Sequence, residues 1–148
     1  MNRILVIEGA TAAGATTAAV GGALLWALRS KRKKVLVVSL ELKHPVIPSE
    51  LNNLWNELPN TLRFQHYGPN TISLPDLAVE IRDQGFDLVV VDPVDLLRGW
   101  HQVSADMKDL RGPINPRGMA LACARTISKE GKCAAWVTMG LSRTEVKG

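Results

Sequence analysis

The sequence predicts an α/β domain of three layers, built on a mainly parallel sheet of about five strands. Three observations predict it. Short apolar, β-branched runs recur along the chain, segments with helical spacing separate them, and the first run stops at a glycine-rich turn that leads into a helix. Strands that are apolar on both faces need cover on both faces, which alternating helices supply with right-handed crossovers.

The elements follow in order. Arg3 to Glu8 (RILVIE) reads as the first strand, and Ala18 to Arg29, rich in Ala and Leu, as the helix after it. Lys34 to Leu40 (KVLVVSL) reads as a second buried strand. After Pro48, the pattern Ser49-Glu50-Leu51 through Leu54, Trp55 and Leu58 reads as a short capped helix ended by Pro59. Leu62 to Tyr67 is a third strand. Ser73 to Gln84 places Leu74, Leu77, Ala78 and Ile81 on one helical face, and Asp87 to Val91 (DLVVV) is an apolar strand running into Asp92. Gly99 to Gly118, with its Gly, Pro and polar residues, reads as a loop, Met119 to Glu130 as a helix and Cys133 to Thr138 as a fifth strand.

Length and composition bound the rest. The 148 residues suffice for one domain with its own core, read as a single unit over residues 1–148. Hydrophobic residues at 46% and charged residues at 22% argue against disorder and against fibrous classes. The net charge of +4 suits an anionic partner, but five of the eighteen basic residues fall between Arg29 and Lys34, where cations complement the carboxyl end of a helix dipole. Cys123 and Cys133 have no metal-ligand spacing and no secretory segment accompanies them, which points to a reducing cytoplasm. The apolar stretch Ala18 to Leu28 is too short to span a bilayer, so no membrane partner is expected.

Ligands of parallel sheets bind beyond the carboxyl ends of the strands, where Gly9, Glu41, Asp92 and the residues after Thr138 should come together. The stretch GATAAGATT, Gly9 to Thr17, has the spacing of the phosphate-binding pattern G-x-x-x-x-G-K-[ST], with Gly9, Gly14, Thr16 and Thr17 in place and Ala15 where the pattern has lysine. Small residues let consecutive backbone N–H groups converge on a phosphate, and the amino end of the next helix adds positive potential. A tight strand-to-helix turn explains the same glycines equally well. Asp92, at the end of an apolar strand, has the position of a carboxylate that holds Mg²⁺ beside a nucleotide, or of an ordinary helix N-cap or Asx-turn before Pro93. Glu41, after the second strand, could polarise an attacking water, or be a surface glutamate.

With these residues in place the chain resembles the RecA-like motor domain of the DnaB-type hexameric replicative DNA helicases, which are P-loop NTPases. Gly9 to Thr17 resembles the family's Walker A loop. Ser39-Leu40-Glu41-Leu42 resembles its SLEM segment, and Asp87 to Gly99 (DLVVVDPVDLLRG) its Walker B segment. Asn60 to Arg82, Ala120 to Glu130, and Leu141-Ser142-Arg143 resemble its intervening strand-and-helix, its SLKALAKE helix and the end of its ALSQLSR motif. The resemblance implies a catalytic Glu41, nucleotide contacts from Gly9, Gly14, Ala15, Thr16, Thr17 and Asp92, and Mg²⁺ held by Thr16 and Asp92. It also implies ATP-driven movement on single-stranded DNA in a ring.

The departures fall on catalytic positions. Ala15 stands for the phosphate lysine and Gly140 for the glutamine that senses nucleotide. The segment after Leu42 is shorter than usual, and the carboxyl-terminal part that carries the family's arginine finger is expected to be lacking. Losing the lysine removes a charge-assisted contact worth roughly 1.5–3 kcal/mol in ground-state binding, and more where transition-state charge develops. The expectation is therefore a degenerate helicase-like domain that binds Mg-ATP with weak or no hydrolysis. Natural decay explains Ala15 better than an engineered substitution, because Gly140 has changed as well.

Two other classes of function compete. One is a non-catalytic assembly or partner-binding module, self-associating or docking on a helicase or other replication protein, with Trp55, Trp100 and Trp136 as anchors where exposed; for Trp136, inside a strand, core packing is the better reading. The other is single-stranded DNA binding through Lys108, Arg111 and Arg117 of the Gly99 to Gly118 loop, with Arg143 beyond the last strand, against an ordinary basic loop.

Overall fold

A computed structural model describes residues 4–9, 18–23, 25–26, 34–41, 62–100 and 116–140 of the chain. Five strands, β1 (Ile4–Gly9), β2 (Val35–Ser39), β3 (Leu62–His66), β4 (Leu88–Asp92) and β5 (Ala134–Gly140), form one sheet in the order β1-β5-β4-β2-β3. Every pairing is parallel. The fold is thus α/β with a fully parallel sheet, and each strand lies within two residues of its sequence-based bounds.

The central strands β2 and β4 are buried along their whole length, as expected from VLVVS and LVVVD. Alternate residues feed two cores. Val35, Val37, Leu88 and Val90 pack with Ala19, Val20 and Ala23 of the helical residues 18–23. Leu36, Val38, Val89, Val91, Ala135 and Val137 pack with residues of two later helices, Leu77 and Ile81 of α1 (Leu74–Arg82) and Ala120, Cys123, Ala124 and Ile127 of α2 (Pro116–Gly131). Since successive strand side chains point to opposite faces, the two cores lie on opposite sides of the sheet.

Helix α1 is set by its ends. Ser73 Oγ accepts a hydrogen bond from the Asp76 N–H at 3.2 Å, and the proline of the first turn loses no intrahelical bond there. Arg82 in the last turn donates to Glu130 at 3.1 and 2.8 Å, tying α1 to α2. On the other face Gly22 lies against Trp136: a Cβ there would meet the indole at 3.1 Å, so the glycine permits the close approach of helix to sheet.

Two boundaries differ from expectation. Helix α2 begins at Pro116, so Gly118 lies inside it and not in a loop. Proline suits a first helical position, and the burial of Met119, Ala120, Cys123, Ala124 and Ile127 outweighs the cost of about 1 kcal/mol for a helical glycine. After β4, a cis Asp92–Pro93 bond leads into a 3-10 turn over Val94–Leu96 that the sequence reading does not contain. The expected helix over residues 49–58 lies outside the described residues.

Candidate functional site

The site is built where the strands end. Register places Gly9 beside Gly140, Ser39 beside Asp92 and Ser39 beside His66. Ile7 pairs with Thr138. Ser39 continues the alternation of Val35 and Val37, Asp92 that of Leu88 and Val90, Thr138 that of Ala134 and Trp136, and His66 that of Leu62 and Phe64. All eight of those residues belong to the core packed by residues 18–23. Thr138, Asp92, Ser39 and His66 therefore form a polar row across β5, β4, β2 and β3, on the same face as the helical residues that follow the glycine stretch.

Asp92 is 2% exposed, and Thr138 Oγ1 donates a short hydrogen bond to its Oδ1. A carboxylate so deeply buried requires such partners. Pro93, not Asp92, occupies the cap position of the 3-10 turn that follows, with no side-chain cap bond. Next to Asp92, Ser39 is wholly buried, and its Oγ has no hydrogen-bond partner among the described residues.

Glu41 lies just past β2. The Leu40 N–H donates to the Asp92 carbonyl at 2.8 Å, and the His66 ring, through Nε2, is 2.7 Å from the Glu41 carbonyl, to which it donates. The backbone at Glu41 is thereby joined to both β4 and β3. Chemically, the row offers one carboxyl, two hydroxyls and an imidazole, and Glu41, half-buried, follows Ser39 by two residues.

β1 runs one residue past its expected end at Glu8, to Gly9, and Gly140 ends β5 beside it. Gly14, Ala15, Thr16 and Thr17, like Lys108, Arg111 and Arg143, lie outside the described residues. Arg117 sits in the first turn of α2, where its guanidinium donates to both oxygens of Glu8, Nη2 to Oε2 at 2.6 Å and Nε to Oε1 at 3.1 Å. Those hydrogen bonds, and then the Glu8 charge, raise the Arg117 pKa. Glu8 has the alternation of Ile4 and Val6, so this pair lies on the opposite face from the polar row.

Sequence reasoning found Asp92 and Glu41 but assigned no role to Thr138, Ser39 or His66. The signal was present in the strand alternation: each is a polar residue at the carboxyl end of a run whose same-face neighbours are mostly apolar. Trp136 is half-buried against the core and Trp100 packs on the other face, while Trp55 lies outside the described residues.

Among the described residues no group of three or more His, Cys, Asp or Glu could hold a metal. Magnesium beside a nucleotide needs no such group, since one or two carboxylates with phosphates and waters complete its shell. Among the same residues no helix is long and apolar enough to cross a membrane. No protein-family model matches the chain, and no curated protein matches it.

Proposed function

We propose that the chain is a degenerate P-loop domain of the RecA-like, three-layer kind, related to the DnaB-type replicative helicases. It binds Mg-ATP with weak or no hydrolysis and acts in DNA replication or recombination in the cytoplasm, with copies of itself or with a helicase as partner. One observation carries this reading. A buried acid, Asp92, ends β4 on the face shared with the helical residues that follow the glycine stretch, and β5 separates its strand from β1.

The donor set fits the ligand. Asp92 supplies the hard oxygen that Mg²⁺ prefers, with the Thr16 hydroxyl as the second protein ligand. A bound magnesium ion would neutralise charge on the phosphate oxygens and polarise them. Backbone N–H groups of Gly9 to Thr17 would cradle the phosphates, and Glu41 would orient and deprotonate water. Ala15 contributes no cation, so binding is weak and the charge developing during hydrolysis goes unanswered.

Titration calorimetry with Mg-ATP tests this on the native chain and on Ala15→Lys. The substitution should tighten binding by roughly 10- to 150-fold, the equivalent of a charge-assisted contact. The absence of both binding and hydrolysis in Ala15→Lys would overturn the reading.

Ala15 also favours a second reading, a non-catalytic module that keeps the fold for assembly or partner binding. A hexamer or partner complex formed without nucleotide, seen by light scattering, supports it. A strict ATP requirement for assembly excludes it.

A further inference from the structure

Resting on the nucleotide reading above, we infer that Ser39 is a positioning residue of the metal site: its hydroxyl holds a water of the divalent cation's shell beside Asp92. Ser39 ends a strand whose other four residues are Val, Leu, Val and Val, in the middle of the sheet. It is wholly buried, and its Oγ has no partner among the described residues. Buried hydroxyls without a partner are rare in folded proteins, because desolvation of the group is left uncompensated, and the exceptions tend to mark sites that take up a water, an ion or a ligand.

Its position says which. Ser39 pairs with Asp92 in the β2–β4 ladder, and neighbouring strands lie about 4.8 Å apart, so the two side chains rise from adjacent points on the same face. The Thr138 hydroxyl flanks Asp92 from the other side and is committed to Oδ1. Magnesium dehydrates reluctantly and keeps several waters, whose polarised O–H groups need acceptors. The Ser39 hydroxyl is an acceptor beside the one carboxylate of the row, and outer-shell partners of this kind commonly alter metal affinity by 10–100-fold.

The role separates from mere structure by sign. Ser39→Ala removes an unpaired buried hydroxyl, so without ligand the variant should be as stable as the native chain or more so in urea. Its affinity for Mg-ADP, measured by calorimetry on the native chain and in the Ala15→Lys background, should fall roughly tenfold. ADP affinity in EDTA should not change. An equal loss with and without magnesium, or no loss, overturns the inference.

Asp92→Asn distinguishes the two failures. If Asp92→Asn abolishes the magnesium dependence while Ser39→Ala leaves it intact, the inference falls and the nucleotide reading stands. If neither the native chain nor Ala15→Lys shows magnesium-dependent ADP binding, both fall together.

Discussion

Thr138, in β5, donates its hydroxyl proton to the carboxylate of Asp92, at the end of β4, with both residues buried. The bond joins two residues 46 apart in sequence, on neighbouring strands, and gives the buried carboxyl a partner in the sheet's interior. Thr138→Val keeps the shape and removes the donor. It should cost about 1–3 kcal/mol, the range for leaving a buried polar group without its partner, and lower the urea midpoint accordingly. In a double-mutant cycle with Asp92→Ala, which removes the acceptor, the two losses should fall short of additivity, and strict additivity would show that the bond contributes nothing.

Gly131 closes α2 in a crowded corner. A Cβ there would lie 2.8 Å from Cys133 Sγ and 3.2 Å from Ile81 Cδ1. Alanine gains about 1 kcal/mol in helix propensity, but overpacking a filled core costs about 1–3 kcal/mol, and both neighbours are buried. Gly131→Ala should therefore lower the melting temperature. Cys133→Ala in the same chain should restore most of the loss, whereas a melting temperature raised by Gly131→Ala alone would show that the corner has room.

Burial pushes the Cys123 thiol up from 9.0 to about 11, and burial, then the Asp87 charge, does the same to Cys133. The folded chain holds these protons more tightly than the unfolded chain, so the associated stability is complete below pH 9 and declines as pH rises towards 11. Urea midpoints at pH 8, 9, 10 and 11 should show this fall. The Cys123→Ala/Cys133→Ala variant should be less stable at pH 8 but flatter above pH 9. An equally steep profile would place the alkaline sensitivity elsewhere.

The parts of this structure legible in the sequence are those set by local pattern. Val35 to Val38 and Leu88 to Val91 are continuous apolar runs and could hardly be anything but central strands, and Leu74, Leu77, Ala78 and Ile81 on one face mark α1. Asp92 was legible as an acid at a strand end. Its partner was not, because the Thr138 bond depends on β5 lying between β1 and β4, and strand order is set by packing over the whole chain. His66 and Glu41 meet only through the β2–β3 register. The start of α2 was hidden for a different reason: Pro116 and Gly118 read as loop residues, and their helical setting is decided by the burial that follows them and by the Glu8–Arg117 pair.

That pair also bears on DNA. Lys108, Arg111 and Arg117 are candidate contacts by sequence, yet Arg117 already donates to both Glu8 oxygens, and a phosphate would have to displace two charge-assisted hydrogen bonds. If this segment binds single-stranded DNA, Arg111→Ala should weaken binding and reduce the slope of log affinity against log salt by roughly one, while Arg117→Ala leaves the slope unchanged. Glu8→Gln removes the competing charge and frees the guanidinium, so it should tighten binding and steepen the slope. Fluorescence anisotropy with a labelled oligothymidylate over a potassium chloride series reads all three. A slope reduced as much by Arg117→Ala as by Arg111→Ala would show that the ion pair opens to the phosphate, and binding insensitive to salt would remove DNA from the partners of this chain.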